Sequence, residues 1–345
     1  MAQHRIIEKG PLLDAKGRLT EAGYATALIK EYNRKNIAAH KLRIKEWDYY
    51  LIQSDLFALA LTIADNGYMG MDSISFLWLG ENPREKTVSK IVPLTLGKRN
   101  LPPTSEAGDI AVKGKGYAIT FQNDGKKRRL YGHMEDFSGG KPILFDVTLT
   151  DVPRDSMVII TPYKEYEKAF YYNQKINCLK AEGRVEFEGE EYLFAPAHSF
   201  GVLDWGRGVW TYKNTWYWGS ASGVIGGIPF GFNIGYGFGD TSAASENMLF
   251  YDGVAHKLDQ VTFHIPEKDG KCDFLSPWTF TSNDGRFEMD FEPIIDRAAL
   301  IDLKVLCSDQ HQVFGYFTGK AVLDGGRVLE VKRMLGFAEK VFNKW

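Results

Sequence analysis

"PFGFNIGYGFGD", Pro229 to Asp240, alternates strictly. Phe230, Phe232, Ile234, Tyr236 and Phe238 fall on one side of an extended chain, and Gly231, Asn233, Gly235, Gly237 and Gly239 on the other. Period two over this length reads as a strand. One face of that strand is almost bare, so it needs aromatic rings from a neighbour lying on its backbone, or a ligand approaching closely. Just upstream, "HSFGVLDWGRGVWTYKNTWYWGSASG", His198 to Gly223, places four of the chain's eight tryptophans within fourteen positions and threads an Asp and an Arg between them. Extended, it sets Asp204, Gly206, Gly208 and Trp210 on one face and Trp205, Arg207 and Val209 on the other. An Asp204–Arg207 salt bridge is therefore not expected unless a bulge at Gly206 changes the register. Trp216 and Trp218 share a face.

Outward from this stretch the dominant signal is the hairpin turn. "ADNGY" (64–68), "QNDGKK" (122–127), "YDGVA" (251–255), "SNDGRF" (282–287) and "LDGGRV" (323–328) each separate strand-like segments. In "RVEFEGEEYLFAP", Val185 and Phe187 alternate with Glu186 and Glu188, the pattern of a half-buried strand. Helix signals are few. Thr20 to Asn36 opens on an N-capping Thr and spaces Tyr24, Leu28 and Tyr32 helically, and "KEYEKAF" (164–170) reads as a further helical turn. A mainly β chain without a blade-length repeat excludes a propeller, and the long spacing between turns favours a barrel, or two in succession, over a sandwich. The expected organisation is an N-terminal extension with a short helix (1–40), a first β-barrel-like domain (41–165) and a second (166–345).

With 345 residues, 44% of them hydrophobic, the chain can bury a large core, and a net charge of −2 removes the electrostatic reason to expect nucleic acid or an anionic membrane as partner. No apolar run is long enough for a spanning helix, so integral membrane insertion is not expected, and oligomeric state is left open. Three separated cysteines, Cys178, Cys272 and Cys307, without CxxC pairing point to a reducing, cytoplasmic location. The seven histidines show no HxH or HExxH spacing, "GYGFG" lacks the spacing and helix of a dinucleotide loop, and GxSxG is absent. Neither a metal nor a cofactor is expected.

Two readings of the tryptophan stretch stay open. In the first, Trp216 and Trp218 cover the glycine face and the region is packed wall. In the second, Trp205, Trp210, Tyr212, Trp216 and Trp218 line a cavity for a hydrophobic small molecule, oriented by Arg207, Asn233 and Asn247. Asp204 and Glu246 are candidate proton donors, and Glu246 and Asn247 with Asp252 and His256 could form a carboxylate–imidazole cluster. The bland alternative for the cluster is that these residues satisfy turns and strand ends. Arg286, Glu292 and Arg297 read as a structural ion-pair network, and the closing "GFAEKVFNKW" as a docked C-terminus with Trp345 as its apolar plug.

"LDWGRGVWTYKNTWYWGSASG", "GFNIGYGFGDTSAASENMLFYDGVAHKL", "DGRFEMDFEPIIDR", "VFGYFTG" and "LGFAEKVFNKW" together resemble the bacterial family known as domain of unknown function 2804, over nearly the whole chain. That family carries no assigned reaction. More distantly, "GRVEFEGEEYLF" followed by "DWG" is similar to the carotenoid hydratase and AttH-like proteins. That resemblance implies two consecutive lipocalin-like (calycin-type) antiparallel barrels or strongly curved sheets. It also implies a lipophilic ligand, with a cofactor-independent hydratase, isomerase or cyclase as the alternative; the aromatic-rich composition leaves a non-catalytic interaction module, contacting another chain, as a further one. Arg207 in "DWGRG" departs from the hydratase pattern and leaves any reaction open.

Overall fold

A computed structural model describes residues 3–302 and 307–344, and Trp345 lies outside the described residues. Nearly every element is an antiparallel strand, and the strands form two strongly curved sheets in succession. The strands that matter below are β1 (Ile44–Gln53), β2 (Phe57–Asp65), β3 (Met69–Trp78), β4 (Arg84–Pro93), β5 (Phe170–Phe187), β6 (Phe200–Val209), β7 (Lys213–Ile225), β8 (Ile228–Tyr236), β9 (Phe287–Asp302), β10 (Cys307–Val322) and β11 (Val328–Lys344). In the 13-stranded first sheet β4, β3, β2, β1, β6 and β5 lie side by side and continue into the hairpins of residues 110–150. In the nine-stranded second sheet the order through the centre is β8, β7, β11, β10, β9. The crossing from one sheet to the other falls at residues 210–212 rather than near 165, because β5 pairs backward with Met157–Pro162 and forward with β6. The 41–165 and 166–345 division therefore does not follow the hydrogen-bonded sheets.

The expected N-terminal helix is not there. Thr20 to Asn36 forms short strands at Gly23–Ala25 and Lys30–Glu31 and a single 3-10 turn at Arg34–Asn36. Gly23–Ala25 adds to the edge of Met157–Pro162, and a Cβ at Gly23 would stand 2.5 Å from the carbonyl oxygen of His4, a close approach that only glycine permits. Edge pairing, and a glycine that weakens any helix, override the periodicity. Lys164 to Phe170 is likewise a pair of turns, closed by Ala169 N–H on the Tyr166 carbonyl.

Two cores follow from the two curvatures. The second sheet closes over Phe230, Phe232, Ile234, Phe280, Phe287, Phe291 and Phe317, so Phe230, Phe232 and Ile234 of the alternating stretch are core, with Tyr236 packed at its margin, while Phe238 lies outside this core. Around Gly231 the bare face of that stretch is covered by the first sheet. Strand β5 bulges between Ile176 and Leu179, and there Asn177 Nδ2 donates to Ser220 Oγ (2.8 Å) and the Phe232 carbonyl (3.0 Å), while Cys178 N–H donates to Ser222 Oγ (3.0 Å). A Cβ at Gly231 would lie 2.7 Å from Cys178 Sγ. The glycine row lets one sheet dock its bulge directly on the backbone of the other.

Candidate functional site

The site is built by register. Side chains directly opposite one another in neighbouring antiparallel strands point to the same face. Following Cα partners across the first sheet gives one row, Lys175, Asp204, Tyr49, Thr62, Ser73 and Ser89, crossing β5, β6, β1, β2, β3 and β4. The same operation on the second sheet gives Trp218, Glu339, Gln312 and Arg297, crossing β7, β11, β10 and β9. The two rows face each other across a cavity of about 330 Å³ to which both sheets contribute. Trp210, Trp216 and Phe238 close one end of it. The Trp210 and Trp216 rings meet edge-on at 5.2 Å, and Phe238 lies 5.6 Å from Trp216.

Charge concentrates at the tryptophan end. Lys175 is fully buried, its Nζ 3.1 Å from Asp204 Oδ1 and 4.1 Å from the Trp218 ring centre. Asn173 Nδ2 also donates to Asp204 Oδ1, at 2.5 Å. Glu339 accepts from Trp216 Nε1 and from Gln312 Nε2, both at 3.0 Å. Burial pushes the Glu339 carboxyl up to about 7; negative Asp204 adds to the rise, while the Trp216 hydrogen bond and Lys175 oppose it. Tyr49 is pushed up to about 12, again by burial, and its ring meets Trp218 edge-on at 6.0 Å. A carboxyl poised near neutrality against an aromatic cavity can give up and take back a proton at physiological pH, and indole faces can stabilise positive charge on a bound molecule.

The residues singled out in the sequence divide. Asp204, Trp210, Trp216 and Trp218 line the cavity. Trp205 and Arg207 point out of the opposite face of β6, as alternation requires. Arg207 is completely buried there, donating to Asp48 Oδ1 (2.9 Å) and to the carbonyls of Trp47, Gly206 and Pro102, with its guanidinium 4.3 Å from the Trp205 ring. It is a structural ion pair and does not reach Asp204. Gly206 is bare because the Trp47 ring lies on it; a Cβ there would overlap the indole. Tyr212 is 44% exposed and outside the cavity lining.

Asn233 is buried behind Trp218, accepting from its Nε1 (2.7 Å) and donating to the Glu246 carbonyl (2.8 Å), so it holds the indole rather than a ligand. Asn247 ties the Gly235 N–H to the Asp259 carbonyl. Glu246 is buried against Gly235, where a Cβ would lie 2.9 Å from its Oε1, and burial pushes its carboxyl up to about 7; it does not line the cavity. His256 faces Asp324 at 3.6 Å, a carboxylate outside the cluster proposed from the sequence. Arg286 pairs with Asp324 and Glu292 with Arg333, while Arg297 stands apart in the cavity wall, so the three do not form one network. Among the described residues no group of three or more His, Cys, Asp and Glu side chains is arranged to hold a metal ion.

Glu339, Lys175, Tyr49, Gln312 and Arg297 escaped sequence reading as site residues. Glu339 had one usable signal: in "GFAEKVF" it falls on the same side of a strand as Phe337 and Val341, a charge where the pattern calls for an apolar residue.

Two curved antiparallel half-barrels meeting at an aromatic-walled cavity place the protein in the lipocalin-like double-barrel class, and no helix among the described residues is long and apolar enough to cross a membrane. Residues 3–345 match the family described as domain of unknown function (DUF2804), and the chain belongs to that family. Among solved structures it is similar to a protein from Nitrosomonas europaea provisionally called AttH, with 13% identity, a TM-score of 0.55, and 91% of this chain and 98% of that one covered. It is also similar to kievitone hydratase from Nectria haematococca, at 11% identity and a TM-score of 0.48, covering 87% and 88% of the two chains. These likenesses are of fold. No curated protein matches the sequence.

Proposed function

We propose that this protein binds a lipophilic small molecule in the cavity between its two sheets. The observation that carries the reading is the wall formed by Trp210, Trp216, Trp218 and Phe238 around a space of about 330 Å³, the low end of the range for small-molecule sites. Indole rings give a ligand apolar area and a cation-tolerant face together. A second reading, cofactor-independent proton transfer as in hydration, isomerisation or cyclisation, is favoured by one feature: Glu339 lines this cavity with its carboxyl held up to about 7. Glu339 would donate, with Asp204, ion-paired with Lys175, in the wall beside a developing cation.

The test is mass spectrometry of organic extracts from the purified protein and from a Trp210→Ala, Trp216→Ala variant shown to be folded by circular dichroism. A hydrophobic compound enriched only with the wild type is the expected result. Equal recovery from both proteins, together with no saturable tryptophan-fluorescence response to a panel of lipids and isoprenoids, would return the stretch to packed wall.

A further inference from the structure

This inference rests on the reading of the cavity as a small-molecule site and adds the chemistry of the ligand's polar end. We propose that the ligand is an amphipathic carboxylic acid whose carboxylate is held by Arg297 while its apolar body runs along the row toward Trp218, Trp216 and Trp210.

Arg297 lines the cavity from β9, at the end of its row farthest from the tryptophans. Among the described residues its hydrogen bonds go to neutral oxygens: Nη1 to Gln312 Oε1 (2.8 Å), Nη2 to Ser75 Oγ (2.7 Å) and Nε to Thr87 Oγ1 (3.4 Å). Among the described residues no carboxylate forms an ion pair with it. Two acids stand one side chain away: Glu85 accepts from the Thr87 hydroxyl at 2.7 Å and Glu339 from Gln312 Nε2 at 3.0 Å, and neither is ion-paired with Arg297. Buried Arg207 and Arg99 differ, each with its own aspartate, Asp48 at 2.9 Å and Asp72 at 2.8 Å. A cation taken partly out of water gains most from an anion, and the guanidinium fork matches a carboxylate in shape. One N–H on each terminal nitrogen is left after the bonds above, so the group can engage an incoming carboxylate without breaking its scaffold.

The surroundings set the direction of binding. Thr62, Ser73, Thr87 and Ser89 line the cavity on the wall contributed by β2, β3 and β4, together with Glu85, which accepts from the Thr87 hydroxyl. At the opposite end, Asp204 would repel a carboxylate and the tryptophans would receive the apolar body. Arg297 and Trp218 are three strands apart in one register row, roughly 14 Å at the usual strand spacing, a span that an extended dodecanoate chain covers. Gln312 joins the two ends, accepting from Arg297 and donating to Glu339. A carboxylate on Arg297 would therefore sit one side chain from Glu339 and favour its protonated form.

The experiment compares dodecanoic acid, dodecan-1-ol, methyl dodecanoate, geranic acid and geraniol at pH 8, each below its aggregation limit. Binding is read by tryptophan fluorescence and by isothermal titration calorimetry. On the wild type each acid is expected to bind at least tenfold more tightly than its alcohol. Arg297→Gln brings acid and alcohol within threefold, and Arg297→Lys keeps the preference for acid. Equal binding of acid and alcohol to the wild type, or a preference that survives Arg297→Gln, overturns the proposal. Binding of alcohols and ester without acids overturns the anchor and leaves the cavity reading standing, whereas no saturable binding by any of the five overturns both. Should Arg297→Gln fail to fold, the acid-against-alcohol comparison on the wild type decides by itself.

Discussion

Glu339→Gln should change how stability depends on pH, in a direction fixed by the geometry. Burial raises this carboxyl from 4.5 to about 7, so between those values the folded state holds a proton that the unfolded state has released, and the contribution of Glu339 to wild-type stability falls as pH rises through that window. Integrating for one group gives a loss of about 2.5 kcal/mol between pH 5 and pH 8 that a glutamine does not suffer. The substitution also has a pH-independent cost. A glutamine keeps one acceptor, yet two donors, Trp216 Nε1 and Gln312 Nε2, now face it. Rotating Gln312 to compensate would break its bond from Arg297. That penalty is about 1–3 kcal/mol. The diagnostic is therefore the difference between the two proteins as a function of pH, not its value at one pH. Lys45 and Lys257, lowered by burial to about 7, act in the opposite sense above pH 7, where their stability contribution rises with pH, but they are common to both proteins and cancel, as does Glu246. Urea unfolding at pH 5, 6, 7 and 8 supplies the comparison. A variant-minus-wild-type difference that stays constant within about 0.5 kcal/mol from pH 5 to pH 8 would refute the assignment of Glu339 as a buried carboxyl poised near neutrality.

Further substitutions address the frame. Gly231→Ala places a Cβ 2.7 Å from Cys178 Sγ and should destabilise by about 1–3 kcal/mol; adding Cys178→Ala should recover part of that, whereas Gly325→Ala, with nothing within 4 Å, should leave the urea midpoint unchanged. Asp48→Asn strips fully buried Arg207 of its carboxylate and should cost about 3–5 kcal/mol; a thermal midpoint within a degree of wild type would show that Arg207 is held by its three carbonyl partners alone.

Much of this architecture was legible one strand at a time. Period-two alternation identified the strand from Pro229 as far as Tyr236, where Gly237 and Gly239 at positive φ end it four residues earlier than the pattern suggests; the bareness of one face announced a close approach, and alternation in "DWGRG" separated Asp204 from Arg207 correctly. What approached the bare face could not be read locally, because the answer is a bulge at Asn177 and Cys178, more than fifty residues earlier in the chain. The N-terminal segment failed for a related reason: helical spacing of Tyr24, Leu28 and Tyr32 is a local signal, and the unpaired edge of Met157–Pro162 outweighed it.

The sequence by itself determined the strands, their two faces and therefore which of Asp204, Trp205 and Arg207 share a side. Only the tertiary structure decided the site, because a row of side chains across a sheet runs perpendicular to the chain. Lys175, Asp204, Tyr49, Thr62, Ser73 and Ser89 are scattered between positions 49 and 204 and become neighbours through register, and Glu339 meets Trp216 only because the last strand closes against β7. Alternation is set by the geometry of each residue's own backbone, whereas register is set by which strands find one another, and that information is distributed over the whole chain.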